Sequence, residues 1–256
     1  RVLLRYLVRA HRQSAITQVD AIVGRTSTTN GVAAQGSSGA TAVPAPTTST
    51  LADGLAVPTV GGNAFEVARA HTDEVVIVEE SDVALSVLRL LENEKVIVEG
   101  GGATGLAAIL PGGPMHKEVQ GKRVAVPLCG GNIDVTTLGR VIDRGLAADC
   151  RLVRFVAEVS DRAGGIAEVT SLLSEHGASV KDVFHERAWL QSAVDRVQIK
   201  FIIECTGSDH SAQVRDAVRA AGVPLLVWGK TVYNADGTAR TLGSTTGGPA
   251  EPAPFE

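Results

Sequence analysis

The chain has 256 residues and a mass of 26.5 kDa, enough for one large domain or two small ones, and its 44% hydrophobic content can fill a sizeable core. A net charge of −4 and a pI near 5.9 provide no basic surface for nucleic acid or an anionic membrane. The three cysteines, Cys129, Cys150 and Cys205, form no CxxC pair and leave one unpaired in any scheme, which suits a reducing compartment without a structural metal. No apolar run approaches the roughly 18 residues needed to span a bilayer. The only methionine is Met115, so the chain is expected to be processed or to be the downstream part of something longer.

Residues 1–12 carry Arg1, Arg5, Arg9 and Arg12 on an apolar background. That reads either as an organellar transit peptide or as an amphipathic helix with a solvated basic face. Residues 26–50 are almost entirely Ser, Thr, Ala, Gly and Pro, a tract that cannot offset its own ordering entropy and reads as a loop or linker. Asn63 is placed to cap a short helix through His71, and Glu74–Val78 reads as a strand. Ser81 is placed to cap a helix whose apolar face is Val83, Val87, Leu90 and Leu91. A strand Val96–Val98, a glycine cluster and a helix through Leu110 follow, broken by Pro111-Gly112-Gly113-Pro114. Lys122–Leu128 reads as another strand and Asp134 to about Ile142 as the next helix.

The texture changes at Arg151. Val153, Phe155, Ala157 and Val159 alternate with Arg154, Glu158 and Ser160, the period-2 pattern of a half-buried strand. A turn at Asp161–Gly165 leads into a helix with Ile166, Val169 and Leu173 inward, stopped by Gly177. Strands at Ser179–Phe184 and Arg196–Glu204 follow, then a helix using Val214, Ala217, Val218 and Ala221, and a last strand Val223–Trp228. The order β-α-β-β-α-β is that of a ferredoxin-like domain, with its boundary near Ala148. Residues 231–256 are polar and Gly/Pro-rich, and are expected to be a disordered tail.

Both apolar runs before Ala148 empty into glycines. Gly100-x-Gly102-x-x-Gly105 satisfies a dinucleotide fingerprint, but the next strand-like run ends in Leu128-Cys129-Gly130, without the acid that would hold a ribose. A second reading is tight strand-to-helix packing. A third takes both clusters together: Glu99 and Cys129 would face one crevice over backbone bare enough for a flat ring, as a pyridine cofactor requires.

Three motifs carry a family resemblance: Ser49-Thr50-Leu51-Ala52-Asp53-Gly54, Val98-Glu99-Gly100-Gly101-Gly102-Ala103, and Cys129-Gly130-Gly131-Asn132-Ile133-Asp134. From about Thr48 to Leu146 the chain resembles the pyridoxal-phosphate-dependent threonine ammonia-lyase and serine dehydratase family, which also contains serine racemases. The resemblance implies an α/β fold, the C-terminal portion of a fold-type II catalytic domain. It implies that Cys129 hydrogen-bonds the pyridine nitrogen, that Glu99 lies beside the ring, and that Gly130, Gly131 and Asn132 shape the loop around it. Residues 150–230 resemble an ACT-type regulatory domain, Asp161-Arg162-Ala163-Gly164-Gly165-Ile166 standing where that family has D-R-P-G-x-(L/I). This implies an amino-acid effector near Asp161, Gly164 and Ile166. His185 and Glu186 read as surface or interface residues, and no metal site is expected.

The domain plan is therefore a divergent segment at 1–47, a partial lyase domain at 48–147, the ACT-like domain at 150–230 and the tail at 231–256. The family holds its cofactor on a lysine in an S-x-K-x-R-G segment, which is absent here along with an S-G-N-H-like loop and a glycine-rich phosphate cradle. None of the six lysines stands in such a context. The chain is thus expected to be a fragment lacking the Schiff-base lysine and inactive alone, from an enzyme that deaminates L-threonine or L-serine. The alternative is a non-catalytic amino-acid-binding regulator. An amino-acid substrate and effector, a homo-oligomer and a cytoplasmic location (or a plastid or mitochondrion) complete the expectation, with no nucleic-acid or membrane partner.

Overall fold

The computed structural model describes residues 6–10, 50–56, 61–72, 74–186, 195–234 and 238–241. It divides into two compact units, Arg1–Ala148 and Asp149–Glu256. The Ser/Thr/Ala-rich tract, apart from Thr50, and residues 242–256 of the expected tail lie outside the described residues.

In the first unit β1 (Tyr6–Ala10) and β2 (Glu74–Val78) pair in parallel, with Tyr6 opposite Glu74 and Ala10 opposite Val78. Residues 6–10 are therefore a strand, where a transit peptide or amphipathic helix was the expectation. The run Tyr6-Leu7-Val8 has β-propensity, and β2 supplies the ladder that fixes it. Helix α1 (Gly62–His71) starts from Gly61, so Asn63 sits inside its first turn and not at the cap. Helix α2 (Glu80–Arg89) starts from Glu79, which moves Ser81 inside as well, and Glu80 and Asp82 complement the positive end of the helix dipole. Val83, Val87 and Leu90 are buried as their spacing predicts.

Helices α3 (Gly100–Ile109) and α4 (Val135–Ala148) complete the unit. Their apolar residues meet α2 in a core of Ala84, Val87, Leu90, Val98, Ala103 and Val141. Gly145 lets α4 approach α2 closely, since a Cβ there would lie 2.9 Å from the Ala84 carbonyl oxygen. The predicted strands Val96–Val98 and Lys122–Leu128 belong to neither sheet. Their periodicity is that of a strand, but a strand exists only through a ladder. What joins the two runs is a bond from the Glu99 N–H to the Gly130 carbonyl at 2.8 Å.

The second unit is an antiparallel sheet with two helices in βαββαβ order. Its elements are β3 (Leu152–Ser160), α5 (Gly165–Glu175), β4 (Ser179–Glu186), β5 (Arg196–Glu204), α6 (Ser208–Ala220) and β6 (Leu225–Trp228). These strands lie in the order β4-β5-β3-β6, the ferredoxin-like arrangement. Phe155 of β3 stacks on Phe201 of β5 and on Trp228 of β6, each at 4.9 Å between ring centroids. Ile166, expected to point inward, is 37% exposed. The inward stripe of α5 is instead Gly165, Val169 and Leu173. A Cβ at Gly165 would lie 2.2 Å from the Ser160 carbonyl oxygen, and the next helical residue is turned about 100° away.

Residues 231–241, expected within a disordered tail, instead contribute β7 (Thr231–Tyr233) and β8 (Ala239–Thr241), a hairpin paired on to β6. Thr-Val-Tyr suits a strand, and Tyr233 is buried with the Arg219 guanidinium 5.1 Å from its ring centroid. Among the described residues no helix is long and apolar enough to cross a membrane.

Phe155 holds the centre of the aromatic stack and is fully buried. Phe155→Ala is expected to destabilise the second unit by about 3–5 kcal/mol, measured by urea unfolding followed through Trp228 fluorescence.

Candidate functional site

The start of α3 brings the three glycine-bearing motifs together. Glu99, in extended conformation, precedes the helix, and Gly100, Gly101 and Gly102 form its first turn. A Cβ at Gly100 would fall 2.1 Å from the Leu51 carbonyl oxygen, and one at Gly102 would fall 1.7 Å from the Cys129 carbonyl oxygen. The turn is thus wedged between residues 50–54 and the 129–134 motif, with no room for a side chain at Gly100 or Gly102. Gly105 continues the contact, because a Cβ there would lie 2.7 Å from Val126 Cγ1. All three glycines of the apparent dinucleotide fingerprint are used in packing, which accounts for the match without a nucleotide.

The Glu99 carboxylate lies where these backbones converge. Its Oε1 is 2.3 Å from the place a Cβ of Gly130 would take, 3.4 Å from that of Gly54 and 3.7 Å from that of Gly101. Gly130 has φ of +78°, the left-handed region that glycine tolerates best, so two independent constraints exclude a side chain there. Cys129, Gly130, Gly131 and Asn132 are all exposed. The structure therefore brings Glu99, Cys129 and Gly130 to one place, with Gly131 and Asn132 next along the chain.

Asp134 closes the third motif by capping α4, accepting the Thr137 N–H at 2.9 Å and the Thr136 hydroxyl. The Thr136 hydroxyl, and after it the Thr137 N–H, hold the Asp134 carboxyl below its usual range. The 49–54 motif is anchored from α2: the Glu80 carboxylate accepts the Thr50 hydroxyl on one oxygen and the Leu51 N–H on the other, the latter at 2.9 Å. The motifs alone neither single out Glu80 nor give Gly54 a contact. In the sequence Glu80 is simply an acid in the first turn of a helix, a placement that the helix dipole favours whether or not the acid holds a loop.

In the second unit Asp161 follows β3, and its carboxylate lies 3.9 Å from His185 Nε2 of β4. Its N–H donates to the Asp195 carbonyl at 2.9 Å. Gly164 has φ of +106° and precedes α5, while Ile166 is exposed on the first turn. Asp161, Gly164 and Ile166 thus lie along one loop and helix start, with His185 beside it. Among the described residues no group of three or more His, Cys, Asp or Glu side chains could hold a metal ion.

Residues 9–130 match the family model described as pyridoxal-phosphate dependent enzyme. The L-threonine ammonia-lyases of Thermotoga maritima and Geobacter sulfurreducens are each 37% identical over 180 residues, covering 70% of this chain and 44% of theirs. The chain thus spans less than half the length of these curated relatives. A match of 180 residues exceeds the first unit, which ends at Ala148, so it runs on into the second. The solved serine racemase of Dictyostelium discoideum is 34% identical over 34% of this chain and 28% of its own, with a TM-score of 0.32, too low to bear on the fold.

Two glycine-to-alanine changes are expected to act in opposite directions. Gly102→Ala gains about 1 kcal/mol of helix propensity but forces the turn off Cys129 and loses about 1–3 kcal/mol by overpacking. Gly139→Ala in α4 meets nothing within 4 Å and should keep its full gain. Denaturant midpoints of the two variants check this. The thiols should differ as well: burial, and secondarily Cys150, push Cys205 up to about 11, whereas Cys129 is exposed. Iodoacetamide at pH 8 should label Cys129 well before Cys205. An unfolded thiol ionises near ~8.5, so the folded chain is the proton-richer form between there and about 11. Stability should therefore fall as pH rises through that window.

Proposed function

We propose, from the match of residues 9–130 to the pyridoxal-phosphate dependent enzyme family, that this protein is a threonine ammonia-lyase. It would convert L-threonine to 2-oxobutanoate and ammonia and accept L-serine, giving pyruvate. The observation that carries the reading is the convergence of the three motifs on the Glu99 carboxylate, together with relatives that are L-threonine ammonia-lyases.

The described residues fit the ring end of pyridoxal phosphate. Gly130 and Gly131 offer bare backbone, the latter with only the Ile97 carbonyl oxygen 3.6 Å from a would-be Cβ, and the exposed Cys129 thiol can bond a ring nitrogen. In this reading Cys129 holds the pyridine nitrogen, Gly130, Gly131 and Asn132 flank the ring, and Glu99 stands beside it. Bound pyridoxal phosphate supplies the electron sink that makes loss of the α-proton possible. None of the six lysines stands in an S-x-K-x-R-G segment, so in this reading the 256 residues alone lack the Schiff-base lysine and are an inactive fragment.

The second unit is read as an ACT-like domain that adjusts activity by binding an amino acid near Asp161, Gly164 and Ile166. An amino-acid effector of this kind suits an enzyme of isoleucine biosynthesis. A homo-oligomer in the cytoplasm belongs to the same reading. That no lysine stands in an S-x-K-x-R-G context favours a second reading, a non-catalytic amino-acid-binding regulator that keeps the catalytic scaffold.

The gene's product, captured from its own cells with an antibody against residues 151–230, should form 2-oxobutanoate and ammonia from L-threonine. Cys129→Ala should lower turnover by up to about tenfold, the upper end of the scale for one lost neutral hydrogen bond, and Cys129→Ser should restore most of it. A product that binds an amino acid but shows neither pyridoxal-phosphate absorbance nor turnover would establish the regulator instead.

A further inference from the structure

We propose that Glu80 is the positioning residue of the cofactor site: its carboxylate sets the 50–54 segment and, through it, the turn that carries Glu99. The inference deepens the reading above and takes its functional meaning from it, but the physical linkage stands on contacts within the first unit.

Glu80 is half-buried in the first turn of α2, at the end of the helix where backbone N–H groups point outward. Its two carboxylate oxygens divide the work, one taking the Thr50 hydroxyl and the other the Leu51 N–H. Thr50 Oγ1 in turn accepts the Ala52 N–H at 3.1 Å, so one side chain orders three consecutive residues. The Leu51 side chain packs against both apolar clusters of the unit, and Ala52 is fully buried.

The segment held this way is the wall against which α3 begins. A Cβ at Gly100 would overlap the Leu51 carbonyl oxygen at 2.1 Å and crowd the Ala52 nitrogen at 3.0 Å. Backbone in such contact moves together, because a packed interface has little slack. Gly54, three residues beyond Leu51, lies against the Glu99 carboxylate itself. A shift of residues 50–54 would therefore displace both the turn below Glu99 and one of the glycines around its carboxylate. The hydrogen bonds of the Glu80 carboxylate go to Thr50 and Leu51, so it acts through that segment and not on a ligand.

The test is hydrogen exchange by mass spectrometry on the full chain, without pyridoxal phosphate or amino acids, so that it does not depend on the lyase reading. In Glu80→Ala, exchange at residues 50–54 and 99–103 should rise by about tenfold, the factor supported by one hydrogen bond to a charged acceptor. Exchange in α4 and in the second unit should hold at the parent rate. Glu80→Gln keeps one acceptor oxygen and should fall between the two, while Thr50→Val removes the bonds to Glu80 and from the Ala52 N–H, keeps the Leu51 N–H on Glu80, and should also raise exchange at both segments. If Glu80→Ala does not fold, the Gln and Val variants carry the test alone. Parent exchange rates at residues 99–103 in the folded variants would overturn the proposal, as would equal acceleration throughout the chain. Raised exchange at both segments, in a gene product that binds no pyridoxal phosphate even as the parent, would support the linkage and defeat the lyase reading separately.

Discussion

The first unit depends on a steric constraint, the contact of the first turn of α3 with backbone on two sides. Leu51 and Cys129 each present a carbonyl oxygen to a place where any residue but glycine would put a carbon. Because two loops must close on one helical turn, their conformations are not independent. Removing the side chains lets peptide groups approach within packing distance, and it leaves the single carboxylate of Glu99 as the polar group standing among them. The loss of helix propensity at Gly100 and Gly102 is the cost of that approach, whereas a Cβ at Gly101 would meet only ordinary contacts. It explains why a helix with so little side-chain bulk at its start is nevertheless fixed in place.

Much of the second unit was legible because its signal is local. Alternation at Val197, Ile199, Phe201 and Ile203 reports a half-buried strand directly, and β5 spans the expected Arg196–Glu204. The miss at Ile166 has a simple cause. Val169 and Leu173 lie on one helix face with Gly165 at i, i+4, i+8 and equally with Ile166 at i, i+3, i+7, and glycine gives no hydrophobic signal to choose between them. The hairpin at 231–241 was hidden by composition, since polar Gly-containing sequence can still form a ladder when an edge strand is already waiting.

The site was less legible than the fold. Residue types identified Glu99 and Cys129, but the packing of Gly100 and Gly102 against distant carbonyls has no sequence signature of its own. The same spacing serves nucleotide binding in other proteins, so the pattern alone leaves the choice open. The two apolar runs at Val96–Val98 and Lys122–Leu128 show the opposite failure. Their composition is right for strands, and Val96, Ile97, Val124 and Leu128 are exposed. Ladder partners are a property of the surroundings, which periodicity does not contain.

The hairpin of β7 and β8 also decides how the sheet of the second unit can grow. At its far side the described sheet ends in three residues, Ala239–Thr241, too short to template another chain. At its other side lies β4, eight residues long, with Val183 and Phe184 exposed on opposite faces and Lys200 over the Phe184 ring. A sheet with two long open edges can add copies indefinitely and become a fibre. Among the described residues the hairpin therefore makes the two edges of this sheet unequal, with a short strand on one side and a long one on the other, so that backbone left open for pairing is concentrated on β4.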